Sequence, residues 1–427
     1  MTVIGRIALF GSAGLLAAAV AMPPASADEV EDFFKRKRIT MYIGYTAGGG
    51  YDLYARTLTR HMGRHIPGNP RFVAKNRPGA GSMILTNDLY NTLPQDGTTM
   101  ATVGRGMATE PLFKNEQAKY DPRKMHWIGS MNNEVSVCAA WHTVPVKIWE
   151  DMRTRGMIVG GTAVGSDTDT FPTVLNNVLG TKLKLITGYP GGNDINFAIE
   201  KGEVEGRCGW SWSSVKSTRA QWLKEGKVSI LLQMSTAKHP EMPEVPFVMD
   251  FAKTEKDLKI LKIIFARQMW GRPFLVGPGV PKARVAALRK AFDATMKDEK
   301  FLAEAKRQKM EITPVSGEEV QKAVAELYEA DEDIVKAAKE ATTYTGNIEI
   351  SKAVIPVETK SGKITGIKRG GRRVSWEGGD TKRTLAVSGS KTEVMVDGKK
   401  AKRSALKEGM SCKFTYQASA AKKIACN

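Results

Sequence analysis

The chain has 427 residues, of which 42% are hydrophobic, and a formal net charge of +19. This length exceeds one ordinary domain, so we expect two or three hydrophobic cores, each stable without metals or many crosslinks. The charge first suggests nucleic-acid binding, but it is concentrated in residues 348–427, which hold 18 Lys/Arg against 7 Asp/Glu and carry +11. Because the rest of the chain is only mildly basic, the charge does not by itself indicate a nucleic-acid-binding protein.

The N-terminus has the pattern of a secretory signal. Arg6 precedes an apolar stretch, and Ala25-Ser26-Ala27 supplies the small residues of a cleavage site. We predict a signal peptide over residues 1–27 and a periplasmic mature chain. A retained membrane anchor is the alternative, disfavoured because the apolar stretch is too short to span a bilayer comfortably. An exported protein meets little nucleic acid, so the basic C-terminal region is expected to contact an anionic envelope surface or to promote solubility.

Short apolar runs alternate with helical periodicity from "ITMYIGY" to "TTMATVGRG", and again from "EVSVCAAW" to "EGRCGWSW". This alternation predicts two lobes of similar plan, each a parallel α/β sheet with helices on its faces. Residues 281–340 have the composition and spacing of amphipathic helices that pack on a lobe. From residue 348 onward, short alternating strands separated by glycine turns predict a small, basic all-β domain, an OB-like barrel or a sandwich.

The four cysteines show no metal or redox spacing. None lies in a CxxC motif, which argues against zinc and against a thioredoxin-type site. Cys412 and Cys426 flank the last predicted strand and are expected to form a disulfide, since disulfides persist outside the cytoplasm. A Cys138–Cys208 pair is also considered, with buried free cysteines as the alternative.

The segment "GYTAGGGYDLYAR" places three glycines between a strand and a helix. A nucleotide site is disfavoured, because no lysine follows the last glycine and Leu53 occupies the position of the third fingerprint glycine. The loop and the helix N-terminus present backbone N–H groups that suit a carboxylate. Asp52 is expected to cap the helix and to pair with Arg56. A tight turn without a binding role remains the alternative.

Three further loops repeat this arrangement: "NRPGAGSM" (76–83), "GTAVGSDTDTFP" (161–172) and "GYPGGNDI" (188–195). Each runs from a strand into a helix. Ligands of open α/β sheets bind beyond the carboxyl ends of the strands, so four such loops on two lobes predict a cleft between the lobes.

These motifs resemble the Bug-type receptors, the periplasmic substrate-binding proteins of tripartite tricarboxylate transporters. The resemblance rests on the glycine loop with Asp52 and Arg56, on "NRPGAG", "PQDG", "GYPGG", "KGEVEGRCG" and "EMPEVPF", and on "VGPGVPKARVAALRKAF". It covers roughly residues 38–320. It implies a type II periplasmic-binding-protein fold with a hinged cleft, a carboxylate-bearing ligand, membrane permease subunits as partners, and neither enzymatic activity nor a cofactor.

The resemblance also implies domain limits and a site. Lobe 1 is predicted to comprise residues 28–138 and 250–347, lobe 2 residues 139–249, and the β-domain residues 348–427. Backbone amides of the loops are expected to hold the carboxylates. The predicted ligand-binding residues are Thr46, Gly49, Gly50, Tyr51, Asp52, Gly104, Arg105, Gly165, Ser166, Asp167, Thr168, Tyr189, Gly191, Gly192, Asn193, Asp194 and Trp210.

The sequence departs from the family pattern at Asp167 and Asp169, which bring two carboxylates to the second-lobe loop. An acidic wall would suit an amino acid or another ligand with a positive group. Strand alternation places Trp210 and Trp212 on one face, where they could stack on an aromatic carboxylate or pack in the core.

Other functions have weaker support. The two histidines of "HMGRH", His61 and His65, have helical metal-pair spacing but lack a third ligand nearby, so no metal site is predicted. A sensor-feeding or envelope-associated binding protein is the alternative to a transport receptor. A secreted hydrolase is less well supported, because the sequence shows no nucleophile elbow.

Overall fold

The fold was determined from a computed structural model, which describes residues 25–354, 356–368, 370–379, 381–417 and 420–427. The predicted signal peptide lies outside these residues, apart from its last three, which begin the first helix. None of the described helices combines the length and hydropathy that crossing a membrane requires.

The strands alternate with helices through the first two thirds of the chain and follow one another in the last part. In chain order they are β1 (Arg38–Ile43), β2 (Arg71–Asn76), β3 (Thr99–Thr102), β4 (His126–Ser130), β5 (Ser136–Trp141), β6 (Met157–Gly160), β7 (Leu183–Thr187), β8 (Gly206–Ser211), β9 (Val228–Met234), β10 (Pro273–Val276), β11 (Val315–Ser316), β12 (Glu349–Lys352), β13 (Val357–Lys368), β14 (Arg373–Gly378), β15 (Thr381–Ala386), β16 (Glu393–Val396), β17 (Lys399–Lys400), β18 (Ser411–Gln417) and β19 (Ala420–Cys426).

The helices cover the faces of the first two sheets. They are α1 (Ala25–Phe34), α2 (Gly50–His61), α3 (Met83–Asn91), α4 (Trp149–Thr154), α5 (Asp167–Leu179), α6 (Gly192–Glu200), α7 (Trp212–Thr218), α8 (Ala220–Lys224), α9 (Glu255–Phe265), α10 (Lys282–Met296), α11 (Glu299–Arg307), α12 (Gly317–Leu327) and α13 (Glu332–Thr342).

Two α/β lobes form, as predicted, but their sheets are mixed rather than parallel. Lobe 1 has the strand order β11-β4-β10-β3-β1-β2 and lobe 2 the order β12-β7-β6-β8-β5-β9. β10 runs antiparallel to β3 and β4, and β5 runs antiparallel to β8 and β9. These are the strands by which the chain returns to lobe 1 and enters lobe 2. A strand by which the chain enters a lobe starts at the cleft and runs away from it. Strands joined by right-handed crossovers end at the cleft, so the entering strand is antiparallel to them.

The domain limits differ from the predicted ones. β5 already belongs to the sheet of lobe 2, so the chain crosses between lobes within residues 131–135. β12 pairs in parallel with β7 and completes lobe 2 rather than starting the β-domain. α9 and α13 pack against α5 of lobe 2, where Phe265 meets Phe171 with ring centroids 4.7 Å apart. Amphipathic periodicity identifies the buried face of a helix but does not say which lobe covers it.

The C-terminal domain is a closed β-structure. Its sheet has the order β15-β14-β13-β18-β19-β16-β17, and an additional β15–β19 pairing closes the ring. Trp376 stacks on Phe414 in its core, with ring centroids 4.5 Å apart. The structure pairs Cys412 with Cys426 across β18 and β19, and Cys138 with Cys208 across β5 and β8.

The β-domain contacts both lobes. On lobe 2, Lys201 forms an ion pair with Glu358 at 2.7 Å, and the Arg383 guanidinium lies 5.0 Å from the centroid of the Phe197 ring. On lobe 1, Arg373 lies 3.9 Å from the carboxylate of Asp52, at the base of the glycine loop. The domain therefore lies beside the interlobe cleft and is held from both sides.

Truncation at two adjacent points should separate the role of β12 from that of the β-domain. Deleting residues 354–427 keeps β12 and should leave both lobes folded. Deleting residues 348–427 also removes β12 and the buried side chain of Ile348, and should lower the free energy of unfolding by about 2 kcal/mol or more. Urea unfolding of both truncated proteins measures the difference. Equal stability would show that β12 does not belong to lobe 2.

Acid should destabilise the protein through carboxylates that lie in ion pairs. The hydrogen bond from Arg64 holds the pKa of Asp298 well below its usual range. Burial acts to raise the pKa of Glu311, but hydrogen bonds and charges from His239 and Lys216 outweigh it and lower the pKa. A carboxyl with a depressed folded-state pKa stabilises the protein above its unfolded pKa and loses that contribution as the pH falls.

The free energy of unfolding should therefore decrease as the pH is lowered from about 5 to about 2. Urea unfolding at a series of pH values measures this slope, and the Glu311→Gln variant should show a shallower one. A stability that stays constant between pH 5 and pH 3 would contradict the assignment.

Candidate functional site

The candidate site is the cleft between the lobes. The space outside protein atoms in it, part of which is open to solvent, is about 630 Å³. The N-terminal ends of α2, α5 and α6 open onto it, as predicted for three of the four loops, whereas none of residues 76–83 lines it. Of the predicted residues, the structure brings together Gly49, Gly50, Tyr51, Gly104, Arg105, Ser166, Asp167, Thr168, Gly192, Asn193 and Trp210.

The glycine loop forms the first wall. Gly48 has a φ of +96°, a conformation that a side chain would strain. A Cβ atom on Gly50 would collide with the hydroxyl of Ser214 in lobe 2, so the absent side chain allows the lobes to approach each other. The loop therefore presents backbone rather than side chains to the cleft.

Asp52 does not line the cleft. Its carboxylate accepts hydrogen bonds from the Gly48 amide at 3.0 Å, from Arg56 at 2.6 Å and from Asn76 at 2.9 Å. The side chain is buried beneath the loop. Asp52 thus fixes the loop conformation and pairs with Arg56 as predicted. It does not cap α2, whose N-cap is Gly49, and it is not among the residues that line the cleft.

The other predicted residues outside the lining stabilise the rim of the cleft. Thr46 of lobe 1 donates a 2.7 Å hydrogen bond to Asp194 of lobe 2, and Gly191 lies against Thr46. Tyr189 is buried in the core of lobe 2, with its hydroxyl 3.4 Å from Glu203. Gly165 packs against Glu110 rather than facing the cleft.

The second-lobe loop does not form an acidic wall. Asp167 lies 2.5 Å from the Arg105 guanidinium and 3.6 Å from that of Arg267, and both arginines are buried. Asp169 is buried, accepts hydrogen bonds from Tyr344 at 2.7 Å and from Thr187, and has a pKa raised by burial. The hypothesis that these carboxylates face a positively charged ligand is therefore not supported by their positions.

Arg272 is a cleft residue that the sequence analysis missed. It donates hydrogen bonds to Ser213 at 2.8 Å and Ser214 at 2.7 Å, and it lies 3.2 Å from Glu134. Its guanidinium also lies over the Tyr51 ring, 4.7 Å from the centroid. Arg272 thus has Glu134 as its acidic partner and links the start of β10 in lobe 1 to α7, and only its buried Nε has no hydrogen-bond acceptor.

Arg207 is the second missed residue, and it has no acidic partner. Its Nη1 donates to the Gly192 carbonyl at 3.1 Å and its guanidinium lies 5.3 Å from the Trp210 ring centroid. Its buried Nε has no hydrogen-bond acceptor, and none of the described carboxylates forms an ion pair with it. An arginine within the buried strand "EGRCGW" was the signal that could have identified it.

The electrostatics of the cleft follow from these pairings. Asp167 is neutralised by Arg105, and Glu134 by Arg272, whereas Arg207 has no counter-charge. Burial, reinforced by the charges of Arg219, Arg272 and Arg105, lowers the pKa of Arg207 to about 9, so it remains protonated at neutral pH. Among the described residues that line the cleft, Arg207 is therefore a cation without a carboxylate partner, and an anion can supply one.

The tryptophans occupy different environments. Trp210 lies in β8 and lines the cleft. Trp212 begins α7, and its indole donates a 3.0 Å hydrogen bond to Glu241. The prediction that both share one strand face is wrong, because β8 ends at Ser211 and the alternation stops there.

The histidine pair is engaged in ion pairs on the outside of lobe 1. His61 lies 2.6 Å from Glu304, and His65 lies 3.0 Å from Asp298. Within the described ranges, no group of three or more His, Cys, Asp or Glu residues could hold a metal ion.

Comparison with known protein sequences gives one partial match. No protein-family model matches the chain. A curated relative, the UPF0065 protein in the gbd 5′ region of Cupriavidus necator, is 35% identical over 114 residues, which are 26% of this chain and 33% of the relative. The chain thus spans about a third of the length of that relative.

Solved structures match over a longer range. The periplasmic binding protein BugD has a TM-score of 0.58 at 21% identity and covers 74% of this chain and 99% of its own. An R. palustris protein with adipate has a TM-score of 0.56 at 18% identity, covering 71% and 97%. MatC of Rhodopseudomonas palustris with bound malate has a TM-score of 0.56 at 17% identity, covering 70% and 99%. The chain therefore has the fold of these binding proteins, and the fold expected from the resemblance is confirmed.

Proposed function

We propose that this protein is a periplasmic solute receptor of the Bug type that captures a small carboxylate-bearing anion between its two lobes. One observation carries the proposal: the guanidinium of Arg207 lines the cleft without a carboxylate partner. A partly buried cation without a counter-charge is unfavourable, and a ligand carboxylate would supply the missing partner.

The surrounding groups suit the same ligand. The N-termini of α2, α5 and α6 direct their positive dipole ends toward the cleft, and the hydroxyl of Ser214, which accepts from Arg272, can donate to a ligand. Helix termini and amides bind carboxylates without fixing the rest of the ligand. Selectivity would then depend on the length of the ligand and on its second polar group.

An organic acid fits this charge balance better than an amino acid does. An ammonium group would need a free carboxylate, whereas Asp167 is occupied by Arg105 and Arg267. The fold-sharing proteins named with adipate and with malate hold dicarboxylates, which supports the same class of ligand. We infer that dicarboxylates are the first candidates.

The location and the transport role rest on the sequence. The predicted signal peptide supports export to the periplasm, and the resemblance to Bug-type receptors supports delivery of the ligand to the permease subunits of a tripartite transporter. A soluble receptor with a cleft between two lobes suits this task, because lobe closure retains the ligand until the permease is reached.

A thermal-shift screen of malate, adipate and other dicarboxylates tests the proposal. A ligand at a hundredfold excess over its dissociation constant should stabilise the protein by about 2.7 kcal/mol. Diaminobutane and uncharged diamides serve as controls and should give no shift. Stabilisation by the diamine, or by none of the carboxylates, would contradict a carboxylate receptor.

A further inference from the structure

A second concave surface lies between lobe 1 and the β-domain, outside the interlobe cleft. The space outside protein atoms in it, which is open to solvent, is about 1270 Å³. One wall comes from β2 and α2 of lobe 1, and the other from the β14, β15 and β19 region of the β-domain. We call it the basic groove and define it by its cationic lining residues: Arg56, Lys75, Arg372, Arg373, Lys391, Arg403 and Lys422.

The charge of the basic groove is one-sided. None of the described residues that line it is acidic. Arg56 and Arg373 both face the carboxylate of Asp52, at 2.6 Å and 3.9 Å. The other five cations form no ion pair among the described residues, and they stand on two different domains that the fold brings together. Like charges held close to one another cost free energy, which an anion between them would recover.

The groove also supplies hydroxyl groups. The loop "SGSKT" (388–392) follows β15, and Ser388, Gly389, Lys391 and Thr392 line the groove. The Thr392 hydroxyl donates a 2.7 Å hydrogen bond to the Ala421 carbonyl and accepts a 2.9 Å hydrogen bond from the Ser388 amide. These two hydrogen bonds fix this part of the loop in place. Lysines act as point charges toward phosphate oxygens, and arginines bind them through paired N–H groups.

We propose that the basic groove binds several phosphate groups at once, either on one anion free in solution or on adjacent headgroups of an anionic lipid surface. The concave shape and the cations on both walls favour a compact, multiply charged group over a single carboxylate. The site is separate from the interlobe cleft, since Asp52 and the glycine loop stand between them.

Calorimetric titration of the full mature chain with sodium tripolyphosphate tests this site. The Lys391→Glu/Lys422→Glu variant should weaken binding at least tenfold. The Lys363→Glu/Lys413→Glu variant makes the same charge change on another surface of the β-domain and should stay within twofold of the unmodified protein. Absence of binding, or equal weakening by both variants, would overturn the proposal. Equal affinity for sulfate at matched ionic strength would overturn the phosphate assignment.

Two further experiments identify the source of the phosphate groups and distinguish the basic groove from the interlobe cleft. Sedimentation with phosphatidylglycerol vesicles that is lost in the Lys391→Glu/Lys422→Glu variant alone assigns the groove to a headgroup, and tripolyphosphate binding without vesicle binding assigns it to a soluble anion. An Arg207→Met variant should retain full tripolyphosphate binding. Loss of this binding in Arg207→Met would place the anion in the interlobe cleft and overturn the groove.

Discussion

Replacing Arg207 with methionine should weaken binding of the best dicarboxylate by about 2–4 kcal/mol, or about 30-fold or more, because the ligand loses its charged partner in a partly buried site. The same substitution should leave the free energy of unfolding unchanged or raise it. Arg207 has no carboxylate partner in the described structure, so methionine removes a buried cation and leaves no anion unpaired.

Calorimetric titration and urea unfolding of the Arg207→Met protein measure both effects. Arg155→Met is the control, because Arg155 is exposed on lobe 2 and its replacement should affect neither quantity. Unchanged dicarboxylate affinity in Arg207→Met would contradict the role of Arg207. A loss of stability together with affinity would show that Arg207 is structural.

The Asp167→Asn substitution should destabilise the empty protein, which the Arg207→Met substitution should not do. It leaves the buried Arg105 and Arg267 without their carboxylate, and we expect it to lower the free energy of unfolding by about 3–5 kcal/mol. Asp169→Asn is the matched comparison. The pKa of Asp169 is raised by burial and its partners include hydroxyl groups, which can rotate to accept as well as donate. The expected loss for Asp169→Asn is therefore smaller.

Urea unfolding of the two variants distinguishes two roles for Asp167. If Asp167 faced an ammonium group of the ligand, Asp167→Asn would remove amino-acid binding and leave the stability of the empty protein nearly unchanged. That outcome would contradict the ion pair with Arg105 and restore the acidic-wall hypothesis.

Local patterns predicted much of this architecture. The glycine loops, the alternation of strands and helices and the change of composition near residue 348 are each encoded within short segments. Such segments specify where strands end and helices begin, and parallel sheets bring those points to one edge. The positions of Gly49, Gly50, Ser166 and Asn193 at the cleft follow from this reasoning.

Long-range partners were not accessible in the same way. Arg105 and Asp167 are 62 positions apart, and nothing local indicates that they meet. Asp167 was therefore interpreted as a free carboxylate. For Asp52 the local pattern was the better guide: its position at the helix start predicted the pair with Arg56, whereas the family pattern placed it at the ligand. A family pattern gives positions along the chain, whereas side-chain direction depends on contacts specific to this sequence.

The limits of the domains could not be predicted from local sequence patterns either. β12 has the alternating composition of the strands that follow it, yet it pairs with β7. Strand propensity does not select a partner, because any open sheet edge offers the same backbone groups. The assignment of β12 to lobe 2 depends on the position of α13, which brings the chain back to that lobe.

A crystal structure of the protein with its best-binding dicarboxylate would show which groups hold the ligand. We expect a ligand carboxylate within about 3 Å of the Arg207 guanidinium and of backbone amides at the start of α2 or α5, with Asp167 still paired to Arg105. A ligand bound outside the interlobe cleft, or a carboxylate that leaves Arg207 without an anionic partner, would contradict this expectation.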